Sequence, residues 1–362
     1  MKPFSLCVLC ALSVPLVQAG EFSLDGYLLA DAGYYDAFYV KQEDGDSQGA
    51  NRLQRELRTL NLSPVWKHQQ WRLKTQYKWQ TDHGEWGDTE LRMTFAAGHV
   101  RIGRSELTTS QEDNLSYDTL PFIDRSMVVR AFAAGRQRLA GVRWQPDDGI
   151  HRLDLAAYLD DGRYHGSQIR LALTPGSDQW LWAVAAEHRD LHDELFQLKT
   201  EAAVHLSDKV IRSPRFYASE QQLLQSDLAW FSPTGWWSAE FWLTRVSSRD
   251  GRDFTFQGGY CQWVLNSHDS YRLRNFVTDA RRRTLAGSWD YVLRAEFLDL
   301  EDQNYGARAS NLTAGLNYHV SSQLSLMADV THSQAAGQLV SARAVDSQAR
   351  GQAIATRLRY LF

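Results

Sequence analysis

The stretch Gln70-Trp71-Arg72-Leu73-Lys74-Thr75-Gln76-Tyr77-Lys78-Trp79-Gln80 alternates without a break. Successive side chains of an extended strand point to opposite sides, so Trp71, Leu73, Thr75, Tyr77 and Trp79 share one face and Arg72, Lys74, Gln76 and Lys78 share the other. The first face is greasy and ends in aromatics; the second is wholly polar. The same period recurs in Leu153, Leu155, Ala157 and Leu159 against Arg152 and Asp154, in Ile169, Leu171 and Leu173 against Arg170, and in Leu312, Ala314, Leu316 and Tyr318 against Asn317 and His319. A soluble sandwich has this period too, but its apolar faces meet a core and aromatics do not recur at its strand ends. Strands of roughly ten residues with that pattern read as the wall of a transmembrane barrel.

Composition agrees. The chain of 362 residues is 12% aromatic, with 13 Trp and only 8 Pro. After residue 20 no run approaches the roughly 20 unbroken apolar residues of a spanning helix. Lys2, the apolar run Phe4 to Leu16 and the small-residue site Val17-Gln18-Ala19 read as a secretory signal over residues 1–19, leaving a single barrel domain over 20–362. Cys7 and Cys10 fall in the signal, so Cys261 stands alone and an intramolecular disulfide is excluded. Cys261 itself reads as a small strand residue.

Strands are expected near 22–35, 51–64, 69–82, 88–96, 99–106, 136–146, 150–160, 166–174, 179–189, 219–231, 236–249, 253–266, 288–301, 309–320, 323–333 and 351–362. The fold class is thus all-β, an antiparallel barrel of about 16 strands, and an even number returns the chain to the side on which it began. Short turns such as Pro175-Gly176-Ser177-Asp178 and Ser232-Pro233-Thr234-Gly235 alternate with the long connections 36–50, 107–135, 190–218 and 334–350. Residues 267–287 break the scheme with a long connection on the short-turn side, where Arg272, Arg274, Arg281, Arg282 and Arg283 cluster. The last strand, with Ile354, Thr356, Leu358 and Tyr360 on one face, ends on the terminal aromatic Phe362.

Gly287-Ser288-Trp289-Asp290-Tyr291-Val292-Leu293-Arg294, followed by Leu298-Asp299-Leu300, Gly315-Leu316-Asn317-Tyr318 and Leu326-Met327-Ala328-Asp329, resembles the carboxyl-terminal strands of the phosphate-selective porins of the porin O and porin P type. Phe122-Ile123-Asp124-Arg125-Ser126 is similar to that family's segment after the fifth strand. The resemblance implies a sixteen-stranded outer-membrane barrel, usually a homotrimer, with both termini periplasmic and a third extracellular loop folded inward, here about Ser105 to Gly135. Members that select phosphate carry lysines at this constriction. This chain has Gly103-Arg104-Ser105-Glu106-Leu107 at the loop's start, no loop lysine, and Glu106, Glu112, Asp113, Asp118 and Asp124 along it.

The formal charge is −4, one unit more negative once Lys2 leaves, so selectivity depends on position. Alternation assigns Arg72, Lys74, Lys78, Arg92, Arg101, Arg143, Arg152, Arg170, Arg294, Arg357 and Arg359 to the bore, against Glu90, Asp154, Glu187, Asp227, Glu240, Asp290, Glu296 and Asp329. Arg104 and Arg125 are expected on the inward loop facing them. The expectation is a passive water-filled channel for small anions such as phosphate or chloride, embedded in outer-membrane lipid, without a cofactor, a metal, a catalytic residue or a nucleic-acid partner. A general or weakly cation-preferring porin is the alternative, and a barrel-type outer-membrane enzyme a remote one. No nucleophile elbow or phosphate-binding glycine loop occurs in the sequence. His188 and His192 read as an exposed loop pair rather than a metal site.

Overall fold

A computed structural model describes residues 20–40, 52–81, 83–107, 109–133, 136–144, 151–160, 164–173, 179–266, 286–340 and 348–362. Residues 1–19, where a signal is expected, and residues 267–285 of the expected arginine-rich connection 267–287 lie outside the described residues. In chain order the strands are β1 (Glu21–Tyr35), β2 (Arg52–His68), β3 (Trp71–Trp79), β4 (Gly84–Phe95), β5 (Gly98–Glu106), β6 (Arg136–Trp144), β7 (His151–Asp160), β8 (Tyr164–Leu173), β9 (Trp180–Phe196), β10 (Lys199–Thr200), β11 (Ile211–Arg212), β12 (Phe216–Ser232), β13 (Gly235–Ser248), β14 (Asp253–Asn266), β15 (Ser288–Asp299), β16 (Arg308–His319), β17 (Leu324–Ala336) and β18 (Gln348–Leu361).

All but β10 and β11 form one closed antiparallel barrel of 16 strands, sealed where β1 pairs with β18 from Tyr27 opposite Leu361 to Tyr35 opposite Ala353. Closure removes the sheet edges that lipid does not satisfy. Each expected strand has a counterpart in the barrel. The differences are in length: β9 and β12 continue beyond the expected ends and pair as far as Phe196 with Phe216. The small β10–β11 pair was not foreseen.

The wall is inverted relative to a soluble protein. Leu73, Leu155, Ile169, Leu293, Leu312, Leu326 and Leu358 are exposed on the outside, whereas Gln76, Asp154, Gln168, Arg170, Glu240, Asp290, Asn311 and Arg357 are buried inside. Aromatic side chains gather at the strand ends nearest the chain termini, where Trp180 lies 6.3 Å from Trp230 and 6.0 Å from Trp237, and Trp289 lies 4.4 Å from Tyr318. Such amphipathic rings belong at a membrane–water boundary. The assignment is directly testable. Cysteines placed at positions 72, 74 and 78 in a Cys261→Ser background should react with an impermeant thiol reagent, while those at 71, 73 and 79 should resist it in membranes. Leu73→Arg, two residues in from the strand end, should weaken insertion by less than the ~2–4 kcal/mol that an arginine costs at the midplane. Equal labelling of both sets would refute the inside–outside assignment.

Among the described residues, two connections at the end opposite the termini turn into the barrel. The third, between β5 and β6, carries the short helices α1 (Gln111–Asn114) and α2 (Met127–Phe132), capped by Ser110 and Ser126. Wall side chains satisfy its backbone. Arg170 donates to the Thr109 carbonyl at 2.9 Å, Asn317 to that of Pro121 at 2.8 Å, and Arg359 to that of Asp118 at 2.9 Å. Glu240, Asp329 and Glu296 accept from the amides of Glu112, Ile123 and Met127 at 2.7–2.8 Å. Irregular backbone survives at membrane depth only when protein partners replace water in this way.

The fifth connection, from β9 to β12, holds the β10–β11 pair and reaches the opposite wall, where Tyr35 donates to the Leu206 carbonyl at 3.0 Å. The two insertions share an apolar core. Ile123, Met127, Val128 and Phe132 pack with Leu198, Ala202, Val204 and Ile211, with Tyr35 at the end of β1, and with Phe38 and Tyr39 from the first connection. Phe132 stacks on the wall residue Trp242 at 6.3 Å. Each large side chain so buried contributes roughly 1.5–3 kcal/mol. The bore at this level is therefore narrowed by packed protein rather than left as an open cylinder.

Candidate pore lining and inserted loops

Cross-strand register builds a basic wall on the inner face of β3 to β7. Arg72 stands opposite Arg92, and Arg92 opposite Arg101, in one row. The row runs on from Arg101 to Gly141, and Arg143 on β6 and Arg152 on β7 lie beside it, two or more residues off the row. Among the described residues, Glu90 and Asp154 are carboxylates that pair with these arginines. Glu90 lies 2.7 Å from Arg92 and 3.9 Å from Arg72. Asp154 is bound by Arg143 and lies 3.0 Å from Arg152. Lys74 pairs with Asp88 at 3.2 Å, and Lys78 is buried on the same inner alternation. Like charges placed directly opposite each other destabilise a sheet, so the row costs stability and leaves a positive surface. Its members keep some contact with open space, the Arg72 side chain being 29% exposed and Lys74 24%.

Arg170, Arg294 and Arg125 are inside the barrel as well, but they are consumed in holding it together. Arg170 makes a bidentate pair with Asp227 at 2.7 and 3.1 Å besides its bond to Thr109. Arg294 donates to Glu112 at 2.9 Å and to the Asp124 carbonyl at 3.1 Å, and lies over the Phe122 ring at 4.3 Å. Arg125 donates to the carbonyls of Asp113 and Leu115 and rests on Tyr117. Planar guanidinium suits such multiple, stacked contacts better than ammonium. Arg104 departs from expectation. It lies in β5 opposite Thr89 and Arg138, on the outward alternation of Ile102, and not on the inserted loop.

Alternation alone missed a further node where both insertions meet the wall. Arg58 is the extra residue of a bulge in β2, since Thr59 pairs with Leu29 but Leu57 with Ala30. The bulge aims Arg58 inward, 2.7 Å from Asp124 and 3.4 Å from Asp31. Asp31 is also gripped by Arg357 through bonds of 2.7 and 2.6 Å. From the fifth connection His205 enters the same group, with Nδ1 2.9 Å from Asp124 and Nε2 2.7 Å from Glu56. Burial pulls the His205 imidazolium down, but the charge of Asp124 together with the hydrogen bonds to Asp124 and Glu56 outweighs it, and the group titrates above its ordinary range. Burial pushes the Asp124 carboxyl up, and His205 and Arg58 hold it well below the usual carboxylate range.

A closed barrel of 16 antiparallel strands, apolar outside, charged inside and narrowed by an inserted third connection, defines an outer-membrane channel of the porin class. The chain belongs to the phosphate-selective porin O and P family, whose model matches residues 30–362. Among solved structures it is similar to an anion-selective porin from Comamonas acidovorans, with a TM-score of 0.61 at 13% identity over 95% of this chain and 100% of that one. A loop L8 deletion mutant of OmpT, an outer membrane protein of Vibrio cholerae, gives 0.64 at 8% identity over 95% and 100% of the two chains. The outer membrane channel DcaP of Acinetobacter baumannii gives 0.57 at 10% identity over 95% and 98%. At these identities the likeness is one of fold. No curated protein matches the chain.

Proposed function

We propose that the protein is a narrow, anion-preferring channel in which small anions pass along the basic wall of β3 to β7, beside the inserted loops. The observation that carries this reading is the row Arg72, Arg92 and Arg101, with Arg143 and Arg152 beside it and Glu90 and Asp154 among its carboxylate partners. Fixed charges on the wall of a bore bias permeation by attracting counter-ions and replacing part of their hydration. Arginine is weakly hydrated and permanently charged, so it attracts anions without trapping them as a desolvated ammonium does. The inserted loop has no lysine, and Asp113 and Asp124 accompany its Arg125. Chloride and phosphate are both permeants in this reading, with phosphate bound feebly. A homotrimer with both termini on the periplasmic side is part of the proposal, resting on the family. The test is a reversal potential in a planar bilayer under a potassium chloride gradient. A chloride preference, with phosphate blocking chloride current only weakly, is expected. A channel preferring potassium would sink the reading, and strong phosphate block would overturn the assignment of weak binding.

A further inference from the structure

A second cluster of ionisable groups occupies the outer surface of the barrel, at the rim opposite the termini. His165 on β8 stands directly opposite Asp190 on β9. Just beyond, the register of β9 against β12 jumps, since Glu220 pairs with Asp190 but Ala218 with Glu194. The extra residues include His192 and Asp193, which hold positive φ angles of 52° and 58°. Non-glycine residues rarely adopt that backbone region, and where it persists it tends to mark a ligand or switch site. The bulge turns His192 back onto Asp190. Its amide donates to Asp190 Oδ1 at 2.9 Å, its Nδ1 lies 3.2 Å from the same oxygen, and His165 Nε2 lies 3.3 Å from Asp190 Oδ2. His192 therefore sits in β9, not in a loop, and its ring faces His165 at 4.7 Å.

We propose that His165, Asp190 and His192 form a binding site for a divalent transition cation of the zinc class. Bonds of about 2.0–2.1 Å in tetrahedral zinc sites place neighbouring ligand atoms roughly 3.3–3.4 Å apart. The two nitrogen–carboxylate separations already stand at that spacing. Among the described residues the ion pairs of Asp190 are with His165 and His192 and none is with an arginine or lysine. A second cluster among the described residues, Asp31, Glu56 and His205, differs because Arg357 and Arg58 already occupy Asp31. With side chains 41–55% exposed, the rim site is open to solution and leaves a coordination position for water. A bound cation would tie β8 to the β9 bulge.

Cobalt(II) is the probe, because its visible absorption distinguishes four-coordinate from six-coordinate binding. The mature chain, purified without a polyhistidine tag and carrying Cys261→Ser, is titrated in detergent with cobalt and then with zinc. The expected result is intense four-coordinate absorption that zinc abolishes. Affinity should fall at least about tenfold in both His165→Ala and His192→Ala. His83→Ala, an exposed histidine between β3 and β4, should leave it unchanged. Heat-modifiable migration on gels verifies that each variant remains a folded barrel. Weak six-coordinate spectra, or binding indifferent to His165→Ala and His192→Ala, would overturn the site.

Discussion

Replacing Arg72, Arg92 and Arg101 together by Glu should convert an anion-preferring channel into a cation-preferring one. The three side chains form a single cross-strand row, and the substitutions reverse the sign of that row while leaving Arg143 and Arg152 with Asp154. Because Glu90 loses both arginine partners and faces carboxylates in their place, the variant bears more strain than the native barrel, and heat-modifiable migration verifies that it folds. The corresponding Arg→Gln triple variant should lose the preference without reversing it. The change should be largest in dilute salt, where fixed charges act over ~8–10 Å, and shrink at 1 M, where screening cuts this to ~3 Å. Arg170→Gln supplies the contrast. It breaks a bidentate pair with Asp227 and a bond to the inserted loop, so it should loosen the fold while the sign of selectivity stays. A triple Glu variant that still prefers chloride would place the anion path elsewhere in the bore.

Much of this was legible in the chain because a barrel wall repeats one rule. A period of two assigns each side chain to lipid or interior, and Trp71, Leu73 and Trp79 are exposed where Gln76 and Lys78 are buried. Inward parity located Arg170 and Arg294 as well as Arg72 and Arg101. It did not distinguish arginines that hold the loop from those that leave a charged surface, because that depends on partners far away in sequence. Arg294 meets Glu112 from 182 positions away. The inward course of the third connection came from family resemblance and not from periodicity. Bulges defeated parity outright. Strict alternation sends Arg58 and Thr59 to opposite faces, whereas the extra residue in β2 brings both inside. The fifth connection gave no warning either. Its apolar residues Ala202, Val204, Val210 and Ile211 follow no helical or strand period, and their burial depends on the third connection being present to receive them.

Alkaline conditions should loosen the inserted loops, and His205 should be the group responsible. Its two ring nitrogens face different carboxylates, Asp124 and Glu56, and a neutral ring donates to only one of them. With the ring protonated, His205, Arg58 and Arg357 face Asp31, Glu56 and Asp124, and the group is balanced; deprotonation leaves it one positive charge short. Because the imidazolium is held above its ordinary range, near 6.5, the docking free energy it contributes is complete below that pH. It is lost as pH rises through the raised value. Single-channel records should therefore be quiet at pH 6 and grow noisier toward pH 9, as the fifth connection undocks from β1 and β2. His205→Ala should be noisy throughout, with docking weakened by about 1–3 kcal/mol, and His205→Lys, which keeps a charge at the node, should remain quiet over the whole range. Asp124→Asn strikes harder, since it leaves Arg58 buried without its nearest carboxylate, a change worth about 3–5 kcal/mol. That loss should appear as a lower unfolding temperature as well as open-channel noise. Noise independent of pH in the wild type, or pH dependence that survives in His205→Ala, would assign the latch to another group.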